Sequence, residues 1–482
     1  MASLGPDQHV EATIESTEQS EGITLYVISI SVGTVKWTVK KRYNAFAELH
    51  DKLVSNHGLA RDLLPPKKII GNKDPAFIEK RRIDLQLYLQ TILNFMHRAL
   101  PRELAEFLDF HIYELTHLLQ SMARHFFHEA DKLLADGEPV ILTPLQLHAI
   151  SFRLKNPLPT NVASEQETDF SHVADFVSQI KHLVIKGSNE CLRTSNIIEN
   201  SLSYTLNTFK SLETLSVKNA SISQIGHLGA VRRTTRELKV DDSDMKQIHE
   251  ILLCDSIYKE TVEGSDPYKW LQLTSVDFSC NSITKIDDSI TLAPKVERLD
   301  LSRNKLTSVE NLTKLPNLVS LSLANNLFTS LENMHTKLGN VVELDLSQNN
   351  LTSLEGLNKL YSLATLNVST NNICEISEVS HVSRLPCLEI LIITGNPVAT
   401  VLDYRTKVLE LFGQRASEIC LDNERPTQRE LDTVAVLQAI RASREGRLPT
   451  LSITNPMPTT TTTLSFIPPD VATAASESSV TK

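Results

Sequence analysis

The chain has 482 residues, 41% hydrophobic and 22% charged, with a formal net charge of -10. That length exceeds one ordinary core and calls for two or three domains. The acidic total argues against a nucleic-acid binder, and no apolar run approaches the roughly 18 residues needed to cross a bilayer.

The total hides a basic island. Between Val32 and Gln90 there are 12 Lys and Arg against 6 Asp and Glu, so this segment carries +6 and the remainder −16. A local excess of that size points to an anionic ligand held in one place. The N-terminus has no basic stretch followed by an apolar one, so no secretory signal is expected. The six cysteines, Cys191, Cys254, Cys280, Cys374, Cys387 and Cys420, form no CxxC pair. They are expected to be free thiols of a cytoplasmic protein.

In chain order, residues 1–20 are polar and are expected to be disordered. Thr24 to Val32 and Lys36 to Tyr43 alternate as two strands of a hairpin turning at Gly33. A short helix from Phe46 to Leu53 follows, then a loop with Pro65-Pro66. From Pro75 a helix is expected, because Phe77, Ile78, Leu85, Tyr88, Leu89 and Ile92 recur at helical spacing. This order makes a compact α+β domain over 21–115. Residues 116–180 are expected to be a helical linker.

From 181 the chain repeats itself. The pattern L-x-x-L-x-L-x-x-N is met at Leu273/Val276/Phe278/Asn281, then at the units ending in Asn304, Asn326, Asn349, Asn371 and Asn396. The asparagines are 23, 22, 23, 22 and 25 residues apart. A period in this range marks a solenoid of about eight coils, each adding one short parallel strand to an α/β leucine-rich-repeat array. An amide after each strand can bond its own turn and the neighbouring coil, so these asparagines are expected to be structural. Upstream the pattern decays: Leu212, Leu215 and Val217 fit, but Ala220 stands in the asparagine place. The array with its C-terminal cap is expected over 181–413, a helical extension over 414–445 and a disordered tail over 446–482. Thr427 and Glu430 make a capping box for that extension. On the concave face the pattern places Asp300, Ser302, Ser322, Asp345, Ser347, Asn367 and Ser369, an acidic and hydroxyl strip suited to a basic segment.

Lys41-Arg42-Tyr43-Asn44-Ala45-Phe46, the Leu64-Pro65-Pro66-Lys67 loop, and Arg81 ahead of Leu85 and Tyr88 resemble the phox-homology domain. Followed by 22- to 23-residue repeats and including Leu63-Leu64-Pro65-Pro66-Lys67-Lys68-Ile69-Ile70-Gly71, the whole resembles the nischarin (imidazoline receptor candidate) family. That resemblance implies phosphatidylinositol 3-phosphate as ligand. Arg42 would grip the 3-phosphate, Tyr43 would lie under the inositol ring, Lys67 would reach the 1-phosphate and Arg81 would meet the ring hydroxyls. Arginine forks suit phosphate because two-pronged, charge-assisted bonds fix orientation as well as energy. Lys68 and Arg82 are expected at the membrane surface, where each lysine or arginine contributes about 1 kcal/mol. Ile69 and Ile70 fit either the core or a wedge in the bilayer. The resemblance further implies an integrin α-subunit cytoplasmic tail, Rac GTPase and Rac-effector kinases as partners, and restraint of cell migration. It places the chain at early and recycling endosomes and the inner face of the plasma membrane. No phosphate loop, HExxH or nucleophile-elbow motif is found, so no enzyme and no cofactor are expected. The alternative is a cytosolic repeat scaffold without specific lipid recognition.

Overall fold

The computed structural model describes residues 10–67, 74–96, 100–157, 166–253 and 269–444. Residues up to Val434 form one compact unit, and a second begins at Ala435.

Three antiparallel strands open the chain: β1 (Val10–Ser20), β2 (Ile23–Val32) and β3 (Val35–Arg42), in that order across the sheet. Residues 10–20, expected to be disordered, are therefore a strand. β1 was hard to see because only Ala12 and Ile14 point inward and are buried, while Glu11, Thr13 and Glu15 face water. Its register slips between Ile14 and Ser16, a bulge that frees the Ile14 peptide groups. Gln86 accepts from the Ile14 N–H and Arg82 donates to the Ile14 carbonyl. Arg82, expected at the membrane surface, thus also braces the sheet and pairs with Glu79 at 2.7 Å.

Helices α1 (Tyr43–His57), α2 (Pro75–Phe95), α3 (Arg102–Phe107) and α4 (Phe110–Tyr113) pack on this sheet. Trp37 anchors the core: its ring stacks on Tyr113 at 5.2 Å, and its Nε1 donates to the Leu108 carbonyl at 2.8 Å.

The expected linker is part of the body. Helix α5 (Leu115–Asp136) buries Leu118, Leu119, Met122 and Phe126. Strand β4 (Val140–Leu142) and helix α6 (Pro144–Lys155) follow, the helix held by the Thr143/Gln146 capping box. In α7 (Phe170–Gln179), Phe176 stacks on Phe126 at 4.1 Å. β4 is already the end strand of the solenoid sheet, which pairs it with β5 (His182–Lys186). The array therefore starts near 140 instead of 181. The amphipathic helix hid this, because a strand of three residues leaves almost no periodic signal.

The remaining strands are β6 (Tyr204–Thr205), β7 (Thr214–Lys218), β8 (Ile225–Gly226), β9 (Glu237–Asp241), β10 (Ser275–Asp277), β11 (Arg298–Asp300), β12 (Ser320–Ser322), β13 (Glu343–Asp345), β14 (Thr365–Asn367), β15 (Ile390–Ile392) and β16 (Cys420–Leu421). All but β6 and β8, which pair together, join β4 and β5 in one 11-stranded parallel sheet. The sheet thus runs past 413 to Leu421, followed by helix α8 (Gln428–Arg444).

The asparagine ladder is explicit. Asn304 donates to the carbonyls of Phe278, Leu301 and Ser302 and accepts from the Ile283 N–H at 3.0 Å. Asn326, Asn349, Asn371 and Asn396 repeat the arrangement one coil on, all at most 7% exposed with Asn304. Asn281 begins it, donating to Val240 O at 2.7 Å and accepting from Ser243 and Met245. In the preceding coils the ladder survives with other residues. Ser243 Oγ accepts from Ala220 N–H and donates to Asp241 O, and at the far end Asp422 accepts from Ile393 and Thr394 N–H. The residue before each of the first five asparagines (Cys280, Arg303, Asn325, Gln348, Thr370) sits at φ near +50°, and Gly395 before Asn396 at +73°, where the tight turn demands it. Gly356, at φ +96°, has no substitute: a Cβ there would lie 1.9 Å from the Leu331 carbonyl oxygen.

A clamp joins the two folds. Asn196, in the loop after β5, donates through N–H and Nδ2 to the carbonyls of Lys36 and Thr34 and accepts from Lys36 N–H at 2.8 Å. Thr194 Oγ1 donates to Thr38 O at 2.7 Å. The solenoid thereby covers the open edge of β3, satisfying backbone groups that an edge strand would leave bare.

Candidate functional site

The candidate lipid corner is built where β3 ends and α1 begins. Arg42 is the last strand residue and the N-cap of α1, and Tyr43 is the first helical residue. The turn swings both side chains out of the sheet. Arg42 is half-exposed, its guanidinium 4.0 Å from Glu48 one turn along the helix, so a competing anion meets a weakly held fork.

Arg81 comes from the second turn of α2 and is only 7% exposed. Its guanidinium lies 4.4 Å from the Tyr43 ring centre and 4.3 Å from that of Phe77, and it donates to the Pro66 carbonyl at 3.4 Å. A charge so enclosed needs compensation, and two aromatic faces and a carbonyl supply part of it. Tyr43 OH donates to the Pro65 carbonyl. The proline loop is therefore tied down from both sides, and exposed Lys67 leaves it at the next residue. Burial pushes the Tyr43 and Tyr26 hydroxyls above their ordinary pKa, with the positive Arg81 opposing it in both. Both hydroxyls therefore stay neutral near pH 7.

Of the four expected pocket residues, Tyr43 and Arg81 are in contact, Lys67 is bound to them through the Pro65-Pro66 carbonyls, and Arg42 adjoins Tyr43 along the chain. One expectation changes. A face of the Tyr43 ring carries the Arg81 guanidinium, so only what remains of the ring is open to a sugar. Two residues were missed, Phe77 and Tyr26. Phe77 stands four residues before Arg81 on α2, a spacing that puts aromatic and cation on one helix face, and this signal was legible. Tyr26 reaches Arg81 from a strand far away in sequence, and nothing local announces it. Lys68, Ile69 and Ile70 lie outside the described residues.

On the repeats, Asp300, Ser322, Asp345 and Asn367 share one row of the sheet register, flanking the buried leucines. Ser302, Ser347 and Ser369 belong to the turns beyond. Ser347 is 6% exposed and does not face the groove: its N–H donates to Asp345 Oδ1 and its carbonyl accepts from Asn349, drawing it into the turn. Ser302 and Ser369 make the same amide bond, to Asp300 and Asn367. Cys191, Cys280, Cys374, Cys387 and Cys420 are free thiols, and Cys254 lies outside the described residues. Among the described residues no helix is long and apolar enough to cross a membrane.

Residues 31–111 match the PX domain family and residues 272–328 the leucine rich repeat family. The chain carries a PX domain followed by leucine-rich repeats. The rat serine/threonine-protein kinase Sgk3 is 31% identical over 91 residues, 19% of this chain and 18% of that protein. Mouse kinesin-like protein KIF16B is 39% identical over 97 residues, 20% of this chain and 6% of the kinesin. The chain thus matches less than a fifth of the length of these curated relatives. Among solved structures, a designed CISK-PX domain is 30% identical with a TM-score of 0.20, covering 20% of this chain and 97% of that one. An internalin, inlF, from Listeria monocytogenes is 17% identical with a TM-score of 0.36, covering 55% and 68%. A PX domain speaks for phosphoinositide binding at a trafficking membrane, and leucine-rich repeats speak for protein interaction.

Proposed function

We propose that this chain is a non-enzymatic, peripheral-membrane adaptor that binds phosphatidylinositol 3-phosphate at the corner of Arg42, Tyr43, Lys67 and Arg81. Its repeats would engage protein. The resemblance to the nischarin family supplies the finer reading: an integrin α-subunit tail, Rac and Rac-effector kinases as partners, restraint of migration as outcome. Early and recycling endosomes and the inner plasma membrane are the places. The observation that carries the lipid reading is Arg81, held between Tyr43 and Phe77 while bonded to Pro66. It fixes the proline loop, and hence Lys67, against the β3–α1 junction that carries Arg42. An anion receptor assembled before its ligand arrives loses less ordering entropy on binding.

The test is a pelleting panel of the full chain with liposomes carrying each phosphoinositide in turn at matched total charge. Selective pelleting with phosphatidylinositol 3-phosphate is expected. Equal pelleting with phosphatidylserine liposomes of the same charge would leave a nonselective basic patch and favour the cytosolic scaffold.

A further inference from the structure

The regular half of the solenoid sheet presents a face unlike the rest. The residues just before the strands form a continuous row, because Val319 N–H donates to Glu297 O, Val342 to Val319, Ala364 to Val342 and Glu389 to Ala364. Beside this row run the strand positions that alternate with the buried leucines, ending in Ile390 and Ile392. Val319 is 43% exposed, and Val342, Ala364, Ile390 and Ile392 are half-buried, so apolar surface stays open to water across these coils. Five carboxylates border it: Glu297, Asp300, Glu343, Asp345 and Glu389, against the bases Arg298 and Arg303.

The N-terminal coils of the same face differ. There Lys239 pairs with Asp277 at 2.6 Å, Lys218 with Asp241 at 3.5 Å and Lys181 with Glu213 at 3.9 Å, so acid and base cancel locally. The carboxylates of the regular half are oriented instead by neutral groups. Asp300 Oδ1 accepts from Ser302 N–H at 2.8 Å; Asp345 accepts from Ser347 N–H at 2.8 Å and from Asn367 Nδ2 at 3.1 Å. These bonds hold the two carboxylates in place without pairing either with a base, so the face keeps negative charge that an incoming cation would relieve.

We propose that this face, from β11 to β15, docks an extended, polyproline-II-like segment of a partner protein in which Lys or Arg recurs at every third residue with large apolar side chains between. The spacing suits that occupant. Asp300 and Asp345 are two strands apart, about 10 Å. In a polyproline II segment, with three residues per turn and a rise of about 3.1 Å each, residues i and i+3 share a face and lie about the same distance apart. Basic residues at i and i+3 therefore meet both carboxylates, while the intervening side chains cover Val319 and Val342. The inference rests on the reading of the repeats as a protein-binding array and adds the class of partner.

The test uses the full chain and three fluorescent 12-residue synthetic peptides in anisotropy titrations. One has Lys at i and i+3 with Leu between, one replaces Lys by Glu, and one replaces Leu by Ser. The first is expected to bind, and the other two at least about tenfold more weakly. The triple variant Asp300→Asn, Glu343→Gln, Asp345→Asn should weaken the first peptide about tenfold or more, and Val319→Ser about threefold. A charge-matched control on other exposed residues, Glu332→Gln, Glu355→Gln, Glu375→Gln, should leave it unchanged. Thermal melts of all variants should match the unaltered chain, which shows that the repeats are folded, and liposome pelleting should be the same for all. An equal loss in the control triple would reduce the effect to net charge and overturn the proposal. Binding of the Glu peptide through Val319 would overturn the partner class while keeping the repeats as a protein binder. Binding of no peptide would overturn the docking face itself, with the lipid reading judged separately by the pelleting.

Discussion

The coils from β10 to β15 and the corner at Arg42 both concentrate polar side chains, and they use them in opposite ways. In the coils polarity is periodic: each buried asparagine donates to carbonyls of its own and the preceding coil and accepts from an amide of that preceding coil, so its capacity is spent inside the fold. At the corner polarity is aperiodic and drawn from three elements, and part of its charge stays open to solvent. A polar residue that recurs with the coil is holding the coil. Charged residues that arrive from unrelated places and meet are available for a ligand.

The sharpest break of this contrast is inside the coils. Leu346→Asp places a carboxylate at a fully buried position, which costs several kcal/mol or forces a large pKa shift. Adjacent coils should melt with it, since repeats are stable mainly through their neighbours. Thermal melting and soluble yield report this, and an unchanged melt would mean that the inward face is misassigned. Asn349→Ala should be nearly as severe, by roughly 3 kcal/mol, because it strands the Phe328 amide and the Leu323 carbonyl.

The contrast also explains what could be read in advance. The ladder was legible because its spacing barely varies. Ser243 and Asp422, which do the same work at the ends of the regular coils, were not: a hydroxyl and a carboxylate can replace an amide only where one neighbour is irregular. Strand β1 escaped because its two inward apolar residues are outnumbered by outward polar ones. At the corner the Lys41–Phe46 string and the proline loop pointed to the residues that meet there, but not to the stacking of Arg81 on Tyr43, a contact between elements that no single stretch encodes. The clamp at Asn196 belongs to the same class, since its partners lie about 160 residues away.

That clamp gives a milder test. Asn196→Ala with Thr194→Val removes side-chain bonds to the backbone of β3, for an expected loss of about 1–3 kcal/mol. Hydrogen exchange at the Lys36 amide should accelerate while the amides of β12 to β14 stay protected. Uniform acceleration would show that the clamp only contributes to global stability.

Acid should loosen the C-terminal cap. At Glu430 burial alone would raise the pKa, but bonds from Thr427 and the Arg405 guanidinium 2.8 Å away outweigh it and hold the carboxyl below its ordinary value. A depressed folded pKa contributes stability that is present above the unfolded value near 4.5 and is lost as pH falls through the folded one. Melting of the wild type should therefore approach that of Glu430→Gln below pH 4, and a constant gap down to pH 3 would speak against the pair. The smallest effect is a gain. Thr370 holds φ +53°, unfavourable for a β-branched residue, so Thr370→Asn should stabilise by up to about 1 kcal/mol in a melt.

The most direct test of the lipid corner is a titration of the full chain, unaltered and with Arg42→Gln, against liposomes containing phosphatidylinositol 3-phosphate. Charge-matched phosphatidylserine liposomes serve as the reference. Arg42 is half-exposed at a strand end, so its loss should leave the melt within about 0.5 kcal/mol. Charge-assisted bonds to phosphate contribute roughly 1.5–3 kcal/mol, so specific affinity should fall at least about tenfold while the phosphatidylserine background barely moves. Specific binding that survives Arg42→Gln in a folded chain would contradict the account and place the headgroup elsewhere.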